Sequence, residues 1–199
     1  ERQGGHRASA DEKQKILGGL WVGGKLNREV IARDMAVVAD RLGLSEAARD
    51  ARFVMVEDDR PGRDRPLSDE KLSLVVTVYR ARDFDHAKQL VRDILEVKGK
   101  GHSCGIHTAD PDRARALAAE TDVVRVLVNQ AHTFGNGGSF NNALPFTLSM
   151  GGGTWAKNSI SENLNYRHFI NITHLVTTIP EDKPSEAALF GGYWAKYGQ

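Results

Sequence analysis

The chain has 199 residues, a hydrophobic fraction of 40%, a charged fraction of 27% and a formal net charge of +1. These values fit one domain, or one domain with an appendage, long enough to bury a core. With 27 basic residues against 26 acidic ones, no basic field exists to hold nucleic acid, and no apolar run approaches the length of a membrane span.

Residues 1–50 read as helical. Ser9 precedes ADEKQKIL with Glu12 three positions on, a capping-box pattern. Gly18, Gly19, Gly23 and Gly24 interrupt the pattern around Trp21. Val30, Ile31, Met35, Val37, Val38 and Leu42 recur near helical spacing and predict a second helix from about Asn27 to Leu42. The apolar run Ala51–Val56 predicts a short strand. Glu57–Ser68 is charged and carries two prolines, which predicts a surface loop.

The pattern then becomes regular. Leu72–Tyr79 (LSLVVTVY) is a β-rich run, and Asp83–Val97 predicts an amphipathic helix ended by Gly99 and Gly101. Ser103–His107 predicts a short strand. Asp110–Glu120 predicts a helix with Asp110 as N-cap and Pro111 in its first turn. Val123–Asn129 predicts another strand, apolar throughout as parallel strands buried on both faces are. Strands alternating with helices predict an α/β fold, a three-layer parallel sheet with flanking helices. His168–Ile179 (HFINITHLVTTI) reads as an extended strand, followed by a tail with two prolines and the aromatic residues Phe190, Tyr193, Trp194 and Tyr197. The organisation expected is therefore residues 1–165 as the main body and residues 166–199 as a C-terminal strand and tail.

Between these parts lies Gln130–Asn163, rich in Gly, Asn and Ser, nearly uncharged, and carrying Phe134, Phe140, Phe146 and Trp155. A polar, aromatic and neutral segment suits backbone that lines a cleft, with the aromatic residues buried. Within it His132, Thr133 and Asn136 either orient a small polar substrate or tie down the loop.

Other candidates are fewer. Glu70 stands at the N-terminal end of its predicted strand, the end opposite to where open α/β sheets place ligands, so spacing favours a solvated loop carboxylate. His102, in GKGHSCG, has glycines close on both sides; it suits proton transfer near neutrality or a turn bonded to local backbone. Cys104 is the single cysteine, which excludes a disulfide framework and suits a reducing compartment such as the cytoplasm. It falls in a predicted buried strand without a basic neighbour, which favours an inert thiol over a nucleophile. His107, two residues on, reads as a strand-end or core histidine. The seven histidines show no metal-ligand spacing, and GNGG and GGG lack the spacing of a dinucleotide fingerprint.

Four stretches occur in order: DEKLSLVVTVYRA (Asp69–Ala81), GKGHSCGIHT (Gly99–Thr108), RVLVNQAHTFGNGGSF (Arg125–Phe140) and GGGTWAKNSISENLNYRHFIN (Gly151–Asn171). Together they closely resemble the C-terminal, catalytic half of the CoA-acylating aldehyde dehydrogenases, and the cleft sequence looks most like the branch acting on sulfoacetaldehyde. The resemblance covers nearly the whole chain. It implies the catalytic-domain part of the aldehyde dehydrogenase fold for residues 1–165, and a C-terminal strand that pairs across subunits of a homo-oligomer. It implies NAD or NADP as cofactor, coenzyme A as co-substrate and a small aldehyde as substrate. Glu70 would approach cofactor and nucleophile, and His102 would lie near the thioester in the CoA-dependent step. A sulfonate would need donors from backbone N–H groups, His132, Thr133, Asn136 or Asn142, with Phe134 beside them.

The same resemblance puts the nucleophilic cysteine and the dinucleotide domain before the region where this chain starts. A first residue of Glu1 rather than methionine fits processing, or a chain that begins inside a longer protein. On that expectation residues 1–199 alone would not turn over. Two departures stand out: Gly152, where relatives often have cysteine, and Lys157, where glycine is common. Two other readings are a hydrolytic semialdehyde dehydrogenase and a non-catalytic oligomerisation module.

Overall fold

A computed structural model describes residues 2–198 and divides them into two compact units, one ending at His168 and one starting at Phe169. Glu1 and Gln199, the ends of the first and last expected segments, lie outside the described residues. The first unit runs β1 (Gly5–Arg7), α1 (Ala10–Gly19), β2 (Trp21–Val22), β3 (Lys25–Leu26), α2 (Met35–Leu42), α3 (Glu46–Arg49), β4 (Phe53–Glu57), β5 (Val75–Val78), α4 (Phe84–Val97), β6 (Cys104–Ile106), α5 (Pro111–Glu120), β7 (Val126–Val128) and α6 (His132–Asn136).

The α/β class expected from the sequence stands. The parallel ladders form two sheets, however: β1-β4-β5, in which β4 is central, and β6-β7. β2 and β3 add a short antiparallel hairpin. Val54 and Val56 of β4 alternate onto one face and are fully buried against Ile16 of α1 and Val38, Ala39 and Leu42 of α2, with Leu67 and Val75 completing the core. Leu90 and Leu95 of α4, Leu117 of α5, and Val123 and Leu127 are the buried apolar residues of the β6–β7 region.

The capping box forms as predicted. Ser9 Oγ accepts from Glu12 N–H, and the Glu12 carboxylate accepts from Ser9 N–H at 2.8 Å. The same carboxylate accepts from the Ser45 hydroxyl at 2.7 Å, so one side chain ties the start of α1 to the N-cap of α3. The cap of α5 also matches, with Asp110 accepting from Asp112 N–H, and α4 has a cap that the sequence analysis did not assign, Asp83 accepting from His86 N–H.

Several expectations are corrected. The helix predicted from Asn27 starts only at Met35. The preceding backbone is committed elsewhere: Ala32 has φ 52° and donates its N–H to Leu72 O, and the Asn27 side-chain amide donates to Gly19 O. The region read as wholly helical contains β1, β2 and β3. The Glu57–Ser68 loop buries Asp58, Leu67 and Ser68 and ends in a 3-10 turn at Pro66–Ser68. The aromatic residues of Gln130–Asn163 are exposed, Phe134 at 76% and Phe140 at 102%, rather than buried.

The expected strand His168–Ile179, which begins on the last residue of the first unit, forms no ladder; its first two residues close a 3-10 turn at Tyr166–Phe169, and no strand pairs with the rest among the described residues. The tail instead forms a helix unforeseen in the sequence, α7 (Glu186–Tyr197), capped by Ser185 and bearing the tilted aromatic pairs Phe190–Trp194 and Tyr193–Tyr197 at i, i+4 spacing. Among the described residues, no helix is long and apolar enough to cross a membrane.

Candidate active site

A cleft of about 650 Å³ opens in the first unit between the segment entering β5, the end of α4, the turn entering β6, the start of α6 and the glycine-rich stretch at 150–158. It brings together Glu70, His102 and His132, which lie far apart in sequence. Lys98 and Lys100 line it from the end of α4, and Lys71 from the turn before β5.

Glu70 is exposed at the cleft, with its carboxylate 3.6 Å from Lys98 Nζ. Lys98 also faces Asp69 at 3.4 Å, and the field of that carboxylate is the main cause raising the Lys98 pKa. Lys71 behaves oppositely: burial pushes its pKa down against the pull of Asp69, and Nζ donates to Leu67 O and Asp69 O at 2.7 and 2.8 Å.

His102 sits in the turn between α4 and β6. Gly101 makes that turn possible. Its φ is +82°, and a Cβ there would meet Gly152 O at 2.4 Å. The close approach of Gly101 to Gly152 therefore builds one wall of the cleft. A Cβ on Gly152 would also meet Ala156 Cβ at 2.5 Å, so a cysteine at that position requires Ala156 to move. The His102 ring lies on Ser103, with Nδ1 2.6 Å from Ser103 Oγ, and that oxygen is 2.8 Å from His132 Nε2. Burial lowers the His132 pKa, and neighbouring His102 lowers it further.

Behind the cleft Arg125 fixes the His102 backbone. Its guanidinium donates to His102 O at 3.2 Å, to Gly151 O at 2.9 Å and to Asn163 Oδ1 at 2.6 Å. Asn163, fully buried, donates in turn to Asn136 O and Pro145 O. Ser103, Arg125 and Asn163 escaped the sequence reading. Nothing in spacing marks Arg125, which sits inside an apolar strand run; a charge in such a run was the available signal.

The other expected substrate contacts lie elsewhere. Thr133 and Phe134 are exposed and do not line the cleft. Asn136 is buried with its side-chain oxygen unpartnered. The Asn142 amide donates to Gln130 Oε1 and Gly135 O, and its oxygen accepts from Ser139 and Leu144 N–H, which makes it a loop staple. Cys104 does not line the cleft; burial raises its pKa, and its nearest polar partner is Thr121 Oγ1 at 4.0 Å. His107 is exposed just past β6.

Known proteins bear on this geometry. No family model matches the chain. A solved acetylating aldehyde dehydrogenase from Geobacillus thermoglucosidasius superposes with a TM-score of 0.81 at 29% identity, over 91% of this chain and 40% of that one. By fold, the chain is a relative of the acylating aldehyde dehydrogenases. In sequence it is similar to an acylating sulfoacetaldehyde dehydrogenase from Cupriavidus necator, 41% identical over 98% of this chain and 40% of that protein. A second acylating sulfoacetaldehyde dehydrogenase, from Bilophila wadsworthia, is 33% identical over 100% of this chain and 44% of its own length. The chain thus spans about two fifths of these relatives.

Proposed function

We propose that the chain is the C-terminal, catalytic portion of an NAD(P)-dependent, CoA-acylating aldehyde dehydrogenase that converts a small aldehyde, sulfoacetaldehyde, to its acyl-CoA. The observation that carries this reading is the convergence of Glu70, His102 and His132 on one cleft that also presents Lys98 and Lys100. The relatives' names supply the reaction class, and the cleft supplies residues suited to it.

In this reading His102 takes the thiol proton of coenzyme A as its sulfur attacks the carbonyl of the enzyme-bound thioester, and the C–S bond to the enzyme breaks with the enzyme thiolate as leaving group. Lys98 and Lys100 offer positive charge, and neutral His132 one N–H donor, to an anionic substrate, whether a sulfonate or the phosphates of coenzyme A. Thr133, Phe134, Asn136 and Asn142 shape the segment that follows His132.

In this reading Glu70, an exposed acceptor at the cleft, would hold a ribose hydroxyl or carboxamide N–H of the nicotinamide half. The bound cofactor would supply a hydride acceptor for oxidation of the aldehyde carbon. Cys104, half-buried and away from the cleft, is not the nucleophile in this scheme, so residues 1–199 alone are expected not to turn over. A reducing cytoplasm suits the lone thiol.

The second unit suits assembly. Leu175, Val176 and Ile179 are 93%, 85% and 80% exposed in a segment without a ladder. In our reading this segment adds as a strand to another copy, giving a homo-oligomer. Deleting residues 169–198 should lower the oligomeric state measured by light scattering.

The functional test is His102→Ala in the intact enzyme. It should slow CoA-dependent thioester transfer at least about 100-fold while sparing the first burst of NAD(P)H. Equal loss of both steps would sink the assignment.

A further inference from the structure

We propose that Ser103 is a positioning residue: its hydroxyl joins the rings of His102 and His132 into one hydrogen-bond chain, and so sets which nitrogen of His102 is free to accept a proton in the cleft. The proposal rests on reading His102 as the base of thioester transfer.

A serine hydroxyl carries one hydrogen. Ser103 Oγ lies 2.6 Å from His102 Nδ1 and 2.8 Å from His132 Nε2, so it donates to one nitrogen and accepts from the other. With both rings neutral, only one of those two nitrogens bears a proton. If the chain runs from His102 Nδ1–H to Ser103 Oγ and from Ser103 O–H to His132 Nε2, His102 Nε2 is a bare lone pair. If it runs the other way, His102 Nε2 carries the proton and cannot act as a base.

Proton uptake selects the first direction. When His102 Nε2 takes a proton from a thiol, the S–H bond breaks, its electron pair stays on sulfur and a new N–H bond forms. His102 then donates from both nitrogens, and Ser103 goes on accepting from Nδ1 without rearrangement. In the reverse direction the hydroxyl would first have to turn over. His132 must stay neutral to end the chain as an acceptor, and burial together with His102 favours that state.

The scaffold is built for this contact. Ser103 and Gly105 alternate onto the same side of the strand, and both face His132. A Cβ on Gly105 would stand 3.2 Å from His132 Nδ1, so glycine there leaves room for the ring. Arg125 holds His102 O from behind, which fixes the backbone from which the chain starts.

The test is the tautomeric state of the two rings, read from two-bond ¹H–¹⁵N correlations in the full 199-residue chain labelled in histidine, at a pH where both rings are neutral. The expected result is a protonated Nδ1 on His102 and a bare Nε2 on His132. Ser103→Ala should shift His102 towards the Nε2–H tautomer, the form favoured by free histidine, and Ser103→Thr should restore the original pattern. If the alanine variant loses its fold, His132→Phe reads the same bridge from the other end, and His102 should again lose its Nδ1–H preference.

An unchanged His102 signature in folded Ser103→Ala overturns the proposal. In the intact enzyme, Ser103→Ala should slow thioester transfer about 10-fold with hydride transfer unchanged, and Ser103→Thr should recover it. If the ring signatures respond as expected but the enzyme shows no CoA-dependent acylation, the bridge stands and the functional reading alone falls.

Discussion

The guanidinium of Arg125 and the side-chain amide of Asn163 are buried together, joined by a 2.6 Å hydrogen bond across 38 positions of sequence. Each has further partners: Arg125 donates to His102 O and Gly151 O, and Asn163 to Asn136 O and Pro145 O. This pair is the clamp that holds the glycine-rich stretch against the turn bearing His102. Removing one member strands the other in a low-dielectric interior. Asn163→Leu should therefore lower stability by about 3 kcal/mol, measured by denaturant unfolding. A loss under about 1 kcal/mol would mean that water replaces the lost partner and that the pair is no clamp.

Asp58 gives the chain a specific acid sensitivity. Burial alone would raise its pKa, but hydrogen bonds from Arg65 and Lys13, and their charges, outweigh burial and hold it at about 2. The folded value lies below the ordinary value near 3.9. The stabilisation is therefore complete above about pH 4 and is lost as pH falls through about 2. Asp58→Asn should flatten the stability profile in that window, with a lower plateau at neutral pH. An unaltered slope between pH 4 and 2 would refute this account.

Gly101 and Lys157 make opposite predictions from the same backbone region. Gly101→Ala forces a side chain into φ +82° and onto Gly152 O, and should cost at least about 2 kcal/mol. Lys157 holds the left-handed conformation with φ 59° as a non-glycine. That conformation costs an L-residue about 1–2 kcal/mol, while glycine's extra chain entropy costs about 0.5–1 kcal/mol. Lys157→Gly should thus be neutral to stabilising by up to about 1 kcal/mol. Thermal unfolding of both variants checks the pair, and a destabilised Lys157→Gly would show that its side chain makes contacts that outweigh the strain.

Cys104 should be a slow thiol. Its pKa is raised by burial, and the thiolate is the reactive form. The folded chain should react with a disulfide reagent at least about 10-fold more slowly than the same chain in denaturant. Equal rates would reopen Cys104 as a nucleophile.

Local chemistry was legible where the residues that decide it are neighbours. Ser9 with Glu12, and Asp110 before Pro111, each carry their own helix start, because a cap needs only atoms two or three residues apart. The apolar runs at Ala51–Val56, Leu72–Tyr79, Ser103–His107 and Val123–Asn129 likewise yield β4, β5, β6 and β7, trimmed at their ends. Four motifs in order pointed to the family and singled out Glu70 and His102.

What the chain could not announce was decided by contacts between distant segments. The first turns of the helix predicted at Asn27–Leu42 gave way because Ala32 donates to Leu72 O, forty residues on. Ser103 became a bridge only when α6 set His132 beside it, and Arg125 gained meaning only when Gly151 and Asn163 closed around it. Periodicity reports which face of an element is apolar; it carries no record of which donor meets which acceptor once those faces pack.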